Sequence, residues 1–389
     1  MKRTIAAMLL SLIFAIMFNS ISIANNNNIT FSCLFPRSID YKFGIKPSIS
    51  QQKMNKDVQK AYINWLTDYT TEEGAPAGTY RVHMSSAYDY ATVSEGIAWG
   101  MFITVLMENE QNNTKKYFNG FWKYYKHYMN RYGLMSWKID KTGKMLFSES
   151  ATEADENAAM ALLYADKIWG SKGEINYLAE AKALINNIFT NEVDHANEIL
   201  KPGVNWGGTD NMNPAYYSPS YYREWNKQSN NWTILTNKSH QVYEMFYNRY
   251  DTGLFPDWCN ATGDPTSLSY DFKYDACQVP IKIGMDFLIN GKGNKYLDRF
   301  SSWVKAKTTN DPSLIVDGYK LNGETIGKYN NASFVGPVTV AAMGTTDQDW
   351  LNKCYLRLSN MSTGGPWGYY NDTIRLISLI MVSGNLMSF

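Results

Sequence analysis

Three acidic residues in this chain stand where an apolar helical pattern begins, beside aromatic or small residues. Glu95 lies in SEGIAWGM, Glu153 in ATEADENAAM and Asp275 in YDACQVPIKI. Paired carboxyl groups can divide acid and base work, one protonating a leaving oxygen while the other activates water or attacks carbon. Each acid also has an ordinary interpretation, because the helix dipole favours Asp and Glu in any first turn.

Helices are the elements that must position these acids. An apolar period near 3.6 residues predicts twelve of them, at 51–67, 94–108, 115–131, 155–169, 176–190, 218–226, 231–249, 274–290, 296–308, 336–343, 347–360 and 371–384. The connections at 134–153, 200–217 and 309–335 are long and rich in Gly, Asn and aromatic residues. Long loops on a rigid scaffold commonly build a site. The sequence therefore predicts an all-α fold of six helical hairpins closed in a ring, with strand-like runs such as 144–148 confined to loop hairpins.

The composition favours a neutral ligand. The chain has 37 basic and 36 acidic residues, a formal net charge of +1, and so carries no global field that would favour nucleic acid or an anionic membrane. Aromatic residues make up 15%, with 28 Tyr and 12 Trp. Their flat faces and polar edges match the faces and hydroxyl rims of sugar rings. The alternative is that a large helical core simply packs many aromatic side chains.

The first 24 residues have the pattern of a secretory signal peptide. Lys2 and Arg3 precede an apolar run that ends in Ser22, Ile23 and Ala24, and cleavage is expected after Ala24. Residues 25–389 contain no Pro/Thr/Ser linker and are expected to form a single catalytic domain. We expect a secreted or periplasmic protein with no membrane attachment after cleavage of the signal.

The cysteines and histidines give no metal-binding pattern. The four cysteines are Cys33, Cys259, Cys277 and Cys354, and the four histidines are scattered, without the spacing of zinc ligands. Export would permit disulfides, and buried thiols are an equally good interpretation. No cofactor and no metal are expected.

Seven segments of the chain resemble glycoside hydrolase family 8, in the family's order and over roughly residues 45–385. They are SEGIAWGM, GLMSW at 133–137, ATEADENAAMALLYADKIW, NPAYYSPSYYREW at 213–225, GLFPDWC at 253–259, YDACQVPIKIGMDFLING and YYNDTIRLISLIMVSGN at 369–385. The resemblance implies an (α/α)6 barrel and an inverting hydrolase of β-1,4-linked polysaccharide. It also implies Glu95 as general acid, Asp275 as general base, and Trp137, Trp206, Tyr216 and Tyr369 as residues that line the cleft.

These roles carry physical requirements. An inverting pair stands roughly 6.5–9.5 Å apart, to leave room for water. Glu95 must keep its proton near neutral pH, so we expect burial beside Trp99 and other carboxylates to raise its pKa. Asp275 must be ionised, so we expect it to be better hydrated or better hydrogen-bonded.

At two site positions the chain departs from the family pattern. Glu153 stands where the signature has an Asp that is thought to hold the sugar at the cleavage subsite. Gln278 stands where the general-base helix has Arg, and in the same helix Ile281 and Lys282 replace Trp and Arg. A lost cation near Asp275 should leave its pKa less depressed. We therefore expect activity that is weaker, or shifted in pH or substrate.

The leading hypothesis is an endo-β-1,4-glucanase that acts on cellulose-like or mixed-linkage glucan. Relatives of this fold include xylanases, oligoxylanases and chitosanases, and a non-catalytic polysaccharide-binding protein of the cell envelope is an alternative from another class. We expect a polysaccharide or oligosaccharide substrate, no nucleic acid partner and a monomer.

Overall fold

The computed structural model describes residues 33–228 and 231–388, so the expected signal peptide lies outside the described residues. The described helices are α1 Gln51–Tyr69, α2 Ser94–Leu106, α3 Lys115–His127, α4 Thr152–Trp169, α5 Tyr177–Asn191, α6 Pro219–Trp225, α7 Thr233–Arg249, α8 Val279–Asn290, α9 Asn294–Lys307, α10 Ala332–Ala342, α11 Gln348–Ser359 and α12 Gly368–Val382. Each predicted helix overlaps one of these. The largest change at the start of a helix is at α8, because the 3-10 turn Ala276–Gln278 precedes it.

Odd- and even-numbered helices differ in how they are buried. In α10 every residue is buried, and in α2 every residue but Glu95. By contrast, α3 and α11 bury one face and leave lysines on the other. A helix that is apolar all round belongs inside a fold, and an amphipathic helix covers it. The even-numbered helices therefore form an inner layer and the odd-numbered helices an outer one.

Contacts between helices join the inner layer into a ring. α2 packs on α4, α6 on α8, α8 on α10 and α10 on α12. The last helix, α12, also packs on the first, α1. Between α4 and α6, the hydroxyl of Tyr222 donates to Glu156 Oε1 at 2.6 Å. This arrangement is the (α/α)6 barrel that the sequence predicted.

The strands are two or three residues long and belong to the loops. The antiparallel pairs are β1 Thr70–Thr71 with β2 Arg81–Val82, β3 Thr92–Val93 with β4 Lys138–Ile139, β4 with β5 Met145–Phe147, and β6 Val193–Asp194 with β7 Ile199–Leu200. The expected hairpin strand at 144–148 corresponds to β5. Since β3 runs directly into α2, this small sheet ties the loop at 134–153 to the start of the helix that carries Glu95.

Two further expectations concern the cysteines and the membrane. Cys259, Cys277 and Cys354 are buried thiols, which fits the thiol interpretation over a disulfide for these three. Within the two described ranges, no helix is both long enough and apolar enough to cross a bilayer.

Candidate active site

The first turns of several inner helices meet at one end of the barrel. Glu95 is the second residue of α2, Glu153 the second of α4 and Tyr369 the second of α12, while Asp275 directly precedes the 3-10 turn that leads into α8. The Tyr369 hydroxyl donates to Glu95 Oε1 at 2.9 Å, which brings the starts of α12 and α2 into contact. The barrel thus gathers acids that are far apart in the chain, and the partial positive charge of helix N-termini surrounds them.

The surroundings of Glu95 favour its protonated form. Burial is the main cause that raises its pKa, to about 8, and the nearby charge of Glu153 adds to it. The hydrogen bond from Tyr369 acts in the opposite direction, because it favours the ionised form. The raised pKa agrees with the expectation from sequence and suits a group that must donate a proton.

Asp275 differs from the expectation. Its Oδ2 accepts a hydrogen bond from the indole N–H of Trp258, at 3.1 Å. Burial nevertheless raises its pKa to about 7, followed by the charges of Asp257 and Glu153. The expectation of a better hydrated Asp275 therefore disagrees with its burial, which is the largest cause of the raised pKa. Both pKa values are raised, and burial is the largest cause for each group.

Asp257 holds the backbone that carries Asp275. Its Oδ1 accepts the backbone N–H groups of Asp275 at 3.1 Å, Ala276 at 2.8 Å and Lys273 at 3.2 Å. Its Oδ2 accepts the hydroxyl of Ser269 at 2.8 Å. These bonds to a single carboxylate fix the backbone of the turn before α8. They therefore also fix the orientation of the Asp275 side chain relative to that turn.

Glu153 is buried, at 3% exposure, and lies beside a buried lysine. Lys282 Nζ is 3.6 Å from Glu153 Oε1, and Gln278 Nε2 is 3.4 Å from its Oε2. Burial raises the pKa of Glu153, and the charge of Lys282 is the largest opposing cause. The amide of Gln278 also faces the hydroxyl of Tyr370, 3.2 Å away.

The four predicted cleft aromatics fall into two groups. Tyr216 is half-buried, and burial is the largest cause that raises the pKa of its hydroxyl. The charges of Asp275, Glu153 and Glu95 raise that pKa further. Tyr369 is buried and offers its hydroxyl to Glu95. Trp137 and Trp206 are 40% and 41% exposed, so part of each side chain is open to solvent.

The two tryptophans lie close to the acids. The carbonyl oxygen of Trp137 accepts the backbone N–H of Ser94, the residue before Glu95, at 2.8 Å. The ring of Trp206 meets Trp258 edge-on, with centroids 4.8 Å apart, and Trp258 contacts Asp275.

Several residues of the site were not singled out from the sequence. Asp257 and Trp258 lie inside the quoted segment GLFPDWC, which was the available signal, but only the fold brings them to Asp275. Trp367, two residues before Tyr369, is 62% exposed and meets Tyr88 edge-on at 5.3 Å between centroids. The sequence gives no signal that the Trp367 side chain is exposed.

The arrangement can perform acid and base chemistry. Two carboxyl groups with pKa values of about 8 and about 7 lie within electrostatic reach of each other and next to exposed aromatic rings. Among the described residues, no group of three or more His, Cys, Asp or Glu side chains is arranged to hold a metal ion.

Comparison with known proteins gives a consistent family. The model for glycosyl hydrolases family 8 matches residues 35–384. Endoglucanase A of Acetivibrio thermocellus is 35% identical over 86% of this chain and 71% of its own length, and a beta-glucanase of Niallia circulans is 32% identical over 91% of both. The structure resembles the apo beta-1,3-1,4-glucanase from Paenibacillus sp. X4 with a TM-score of 0.86 and 31% identity, over 92% of this chain and 100% of that one.

Proposed function

We propose, since this chain belongs to glycosyl hydrolase family 8 and is therefore a glycoside hydrolase, that it cuts internal β-1,4 bonds of a glucan with inversion of configuration. Glu95 is the general acid and Asp275 the general base. The observation that carries this proposal is the pair of shifted carboxyl groups: Glu95, with a pKa of about 8, receives a hydrogen bond from Tyr369 and lies within the field of Asp275, whose pKa is about 7.

In the proposed reaction Glu95 gives its proton to the glycosidic oxygen as the bond to the anomeric carbon breaks. Asp275 takes a proton from the water that attacks the opposite face of that carbon. Positive charge develops on the sugar ring, and the Glu153 carboxylate is the group available to stabilise it. Glu95 ends ionised and Asp275 protonated, so one proton must pass between them or through solvent before the next turnover.

The proposed substrate is a cellulose-like or mixed-linkage glucan. Relatives that cover most of this chain are named endoglucanases or glucanases. Chitosan would carry glucosammonium charges, and a formal net charge of +1 offers them no attraction. Similarity to an exo-oligoxylanase structure at 18% identity concerns the fold alone.

Endo action is supported by the exposed aromatic rings beside both acids. The Trp206 ring meets Trp258, which donates to Asp275, while Trp367 precedes by two residues Tyr369, which donates to Glu95. Stacking surfaces on both sides of the cleavage point suit a chain that passes through the site. A non-catalytic binding protein would have no need of two carboxyl groups with raised pKa values.

Parallel assays test the substrate and the roles. Reducing-sugar release from carboxymethylcellulose, lichenan, xylan and chitosan should be highest on one of the two glucans. Glu95→Gln and Asp275→Asn should abolish turnover, whereas Glu110→Gln and Asp298→Asn, the same changes at exposed positions, should not. Proton NMR of the first product should show the α-anomer. A β-anomer would refute inversion, and no release from any substrate would favour the binding protein.

Export is part of the same proposal. The pattern of residues 1–24 supports cleavage after Ala24, so the secreted or periplasmic protein should begin at Asn25. N-terminal sequencing of the mature protein tests the position, and its size in solution tests the expected monomer.

A further inference from the structure

Two more acidic side chains, outside the proposed acid and base, meet in the interior. Asp155 lies in the first turn of α4, and Glu192 directly follows α5. Both are fully buried, and their side chains hydrogen-bond each other. Two carboxylates cannot form a hydrogen bond unless one of them holds a proton. The contact itself therefore requires a protonated group.

The remaining hydrogen bonds indicate where that proton lies. Asp155 Oδ1 accepts the Tyr125 hydroxyl and the backbone N–H of Met135, at 3.4 Å for the latter. Glu192 Oε1 accepts the Ser150 hydroxyl at 2.6 Å. The other oxygens, Asp155 Oδ2 and Glu192 Oε2, receive no N–H or ordinary O–H donor from the described part of the chain. One proton between these two oxygens satisfies both, and leaving them bare would cost free energy.

Each partner of the pair belongs to a loop that leads to the proposed site. Met135 lies two residues before Trp137, and Ser150 lies three residues before Glu153. The Ser150 hydroxyl oxygen also accepts the backbone N–H of Val204 at 3.1 Å. Val204 precedes Trp206 by two residues. The pair is thus the common anchor of the loops 129–137, 148–152 and 201–206.

We propose that Asp155 and Glu192 share one proton, donated from Glu192 Oε2 to Asp155 Oδ2, and that this pair is a positioning device that holds the three loops of the cleft in register. For the loops' role in substrate binding, the inference rests on the proposed function. Neither residue touches the reacting atoms in this scheme. Loss of the proton would place two negative charges together in a dry interior and push the loops apart.

The surroundings of the pair agree with this assignment. Burial raises the pKa of Asp155 to about 7 and that of Glu192 well above its usual range, which favours a proton held by the pair. Tyr125 on α3 and Glu156 on α4 also face the pair, and the charge of Glu156 raises the pKa of Asp155 further. From the loop before α4, the Ser150 hydroxyl donates to Glu192 Oε1 at 2.6 Å.

Glu192→Gln tests the shared proton without removing the contacts. The amide N–H₂ can donate to Asp155, and the amide oxygen can accept from Ser150, but the group no longer titrates. A raised folded-state pKa means that the wild type loses stability as pH rises from the unfolded value, about 4.5, through the folded value. The variant should therefore lose less Tm than the wild type between pH 6 and pH 9.5. Glu198→Gln, the same change at an exposed site of the same hairpin, should follow the wild type.

Glu192→Ala and Ser150→Ala test the anchoring. Hydrogen exchange should rise in the three loops and not in the outer helices. KM for a long glucan oligosaccharide should rise about tenfold, as the loss of one hydrogen bond to a charged group would give, while kcat stays within about threefold. Glu192→Gln should show near wild-type KM at pH 6 and a smaller increase of KM towards alkaline pH.

Three results would overturn the proposal. One is equal alkaline loss of Tm in Glu192→Gln and the wild type, which would remove the shared proton. Another is unchanged hydrogen exchange of the loops in both alanine variants, which would remove the anchor. The third is a fall in kcat without a change in KM, which would assign the pair to chemistry. The Tm and exchange measurements need no substrate, so their outcome is separate from the failure of the proposed function.

Discussion

The hydrogen bond from Tyr369 to Glu95 gives a prediction with a definite sign. Tyr369→Phe removes the hydroxyl that lies 2.9 Å from Glu95 Oε1 and keeps the ring, which is buried and meets Tyr69 edge-on at 6.0 Å between centroids. The backbone N–H of Tyr369 still donates to Ser85 Oγ, so the start of α12 is held as before. The change is therefore confined to one donor of Glu95.

The size of the effect follows from what that donor does to the two forms of Glu95. A hydrogen bond to a charged group stabilises by about 1.5–3 kcal/mol, and one to a neutral group by about 0.5–1.5 kcal/mol. The difference, about 1–1.5 kcal/mol, is roughly one pKa unit. The bond lowers the pKa of Glu95, which is about 8 in its presence. Its loss should therefore raise that pKa by roughly one unit.

The assay is the pH dependence of kcat/KM on a soluble glucan. The general acid must be protonated, so the alkaline limb reports Glu95 and should move up by roughly one pH unit in Tyr369→Phe. The acid limb, which reports Asp275, should move little. Tyr69→Phe is the matched control, because Tyr69 is a buried phenol that donates to another carboxylate, Asp372, at 2.6 Å. An alkaline limb that stays in place, or moves down, would refute the role of Glu95 as the acid.

Three further predictions use the same site. Trp258→Phe removes the indole N–H that donates to Asp275, so the pKa of Asp275 should rise from about 7. The acid limb of kcat/KM should then move up by roughly one pH unit. An acid limb that does not move would contradict the role of Asp275 as base. Glu153→Asp should lower kcat/KM by about a hundredfold through a misplaced carboxylate, and Gln278→Arg in the same chain should restore part of it, as a double-mutant cycle on lichenan would measure. Trp367→Ala should raise KM severalfold for a hexasaccharide and hardly for a trisaccharide, and an equal effect on both would exclude an outlying stacking surface.

The helices were predictable because their signal is local. An inner helix such as α2 or α10 shows a long apolar run, and an outer helix such as α3 shows one apolar stripe, so both patterns are readable without tertiary information. The two-residue strands have no such signal. They exist because loops at the same end of the barrel pair with one another, as β3 does with β4 more than 40 residues later.

Within the site, residue types were predictable and environments were not. Glu95 and Asp275 stand out at the starts of helices in the sequence, but the raised pKa of Asp275 comes from its burial and then from Asp257, which belongs to a loop before it. Likewise, Asp155 is an ordinary first-turn acid in the sequence. Only the fold shows that Glu192 is its partner, because the rest of α4 and the whole of α5 separate the two residues along the chain.

The departures at Glu153, Gln278 and Lys282 are best understood as one unit. The family pattern combines a shorter acid at position 153 with arginines at 278 and 282. Here the longer Glu153 reaches towards a lysine, 3.6 Å away, and towards the neutral amide of Gln278. Lys282 is itself buried, with Nζ 5.6 Å from the centre of the Trp99 ring and 5.5 Å from that of Tyr221. Because water does not solvate its charge there, Lys282 and Glu153 stabilise each other's charged forms. A change at position 153 alone would leave the buried charge of Lys282 poorly paired, whereas coordinated changes at 153, 278 and 282 keep it paired. That is why a site that departs from its family at separate positions in the sequence can still present a paired carboxylate at the point where the sugar is proposed to bind.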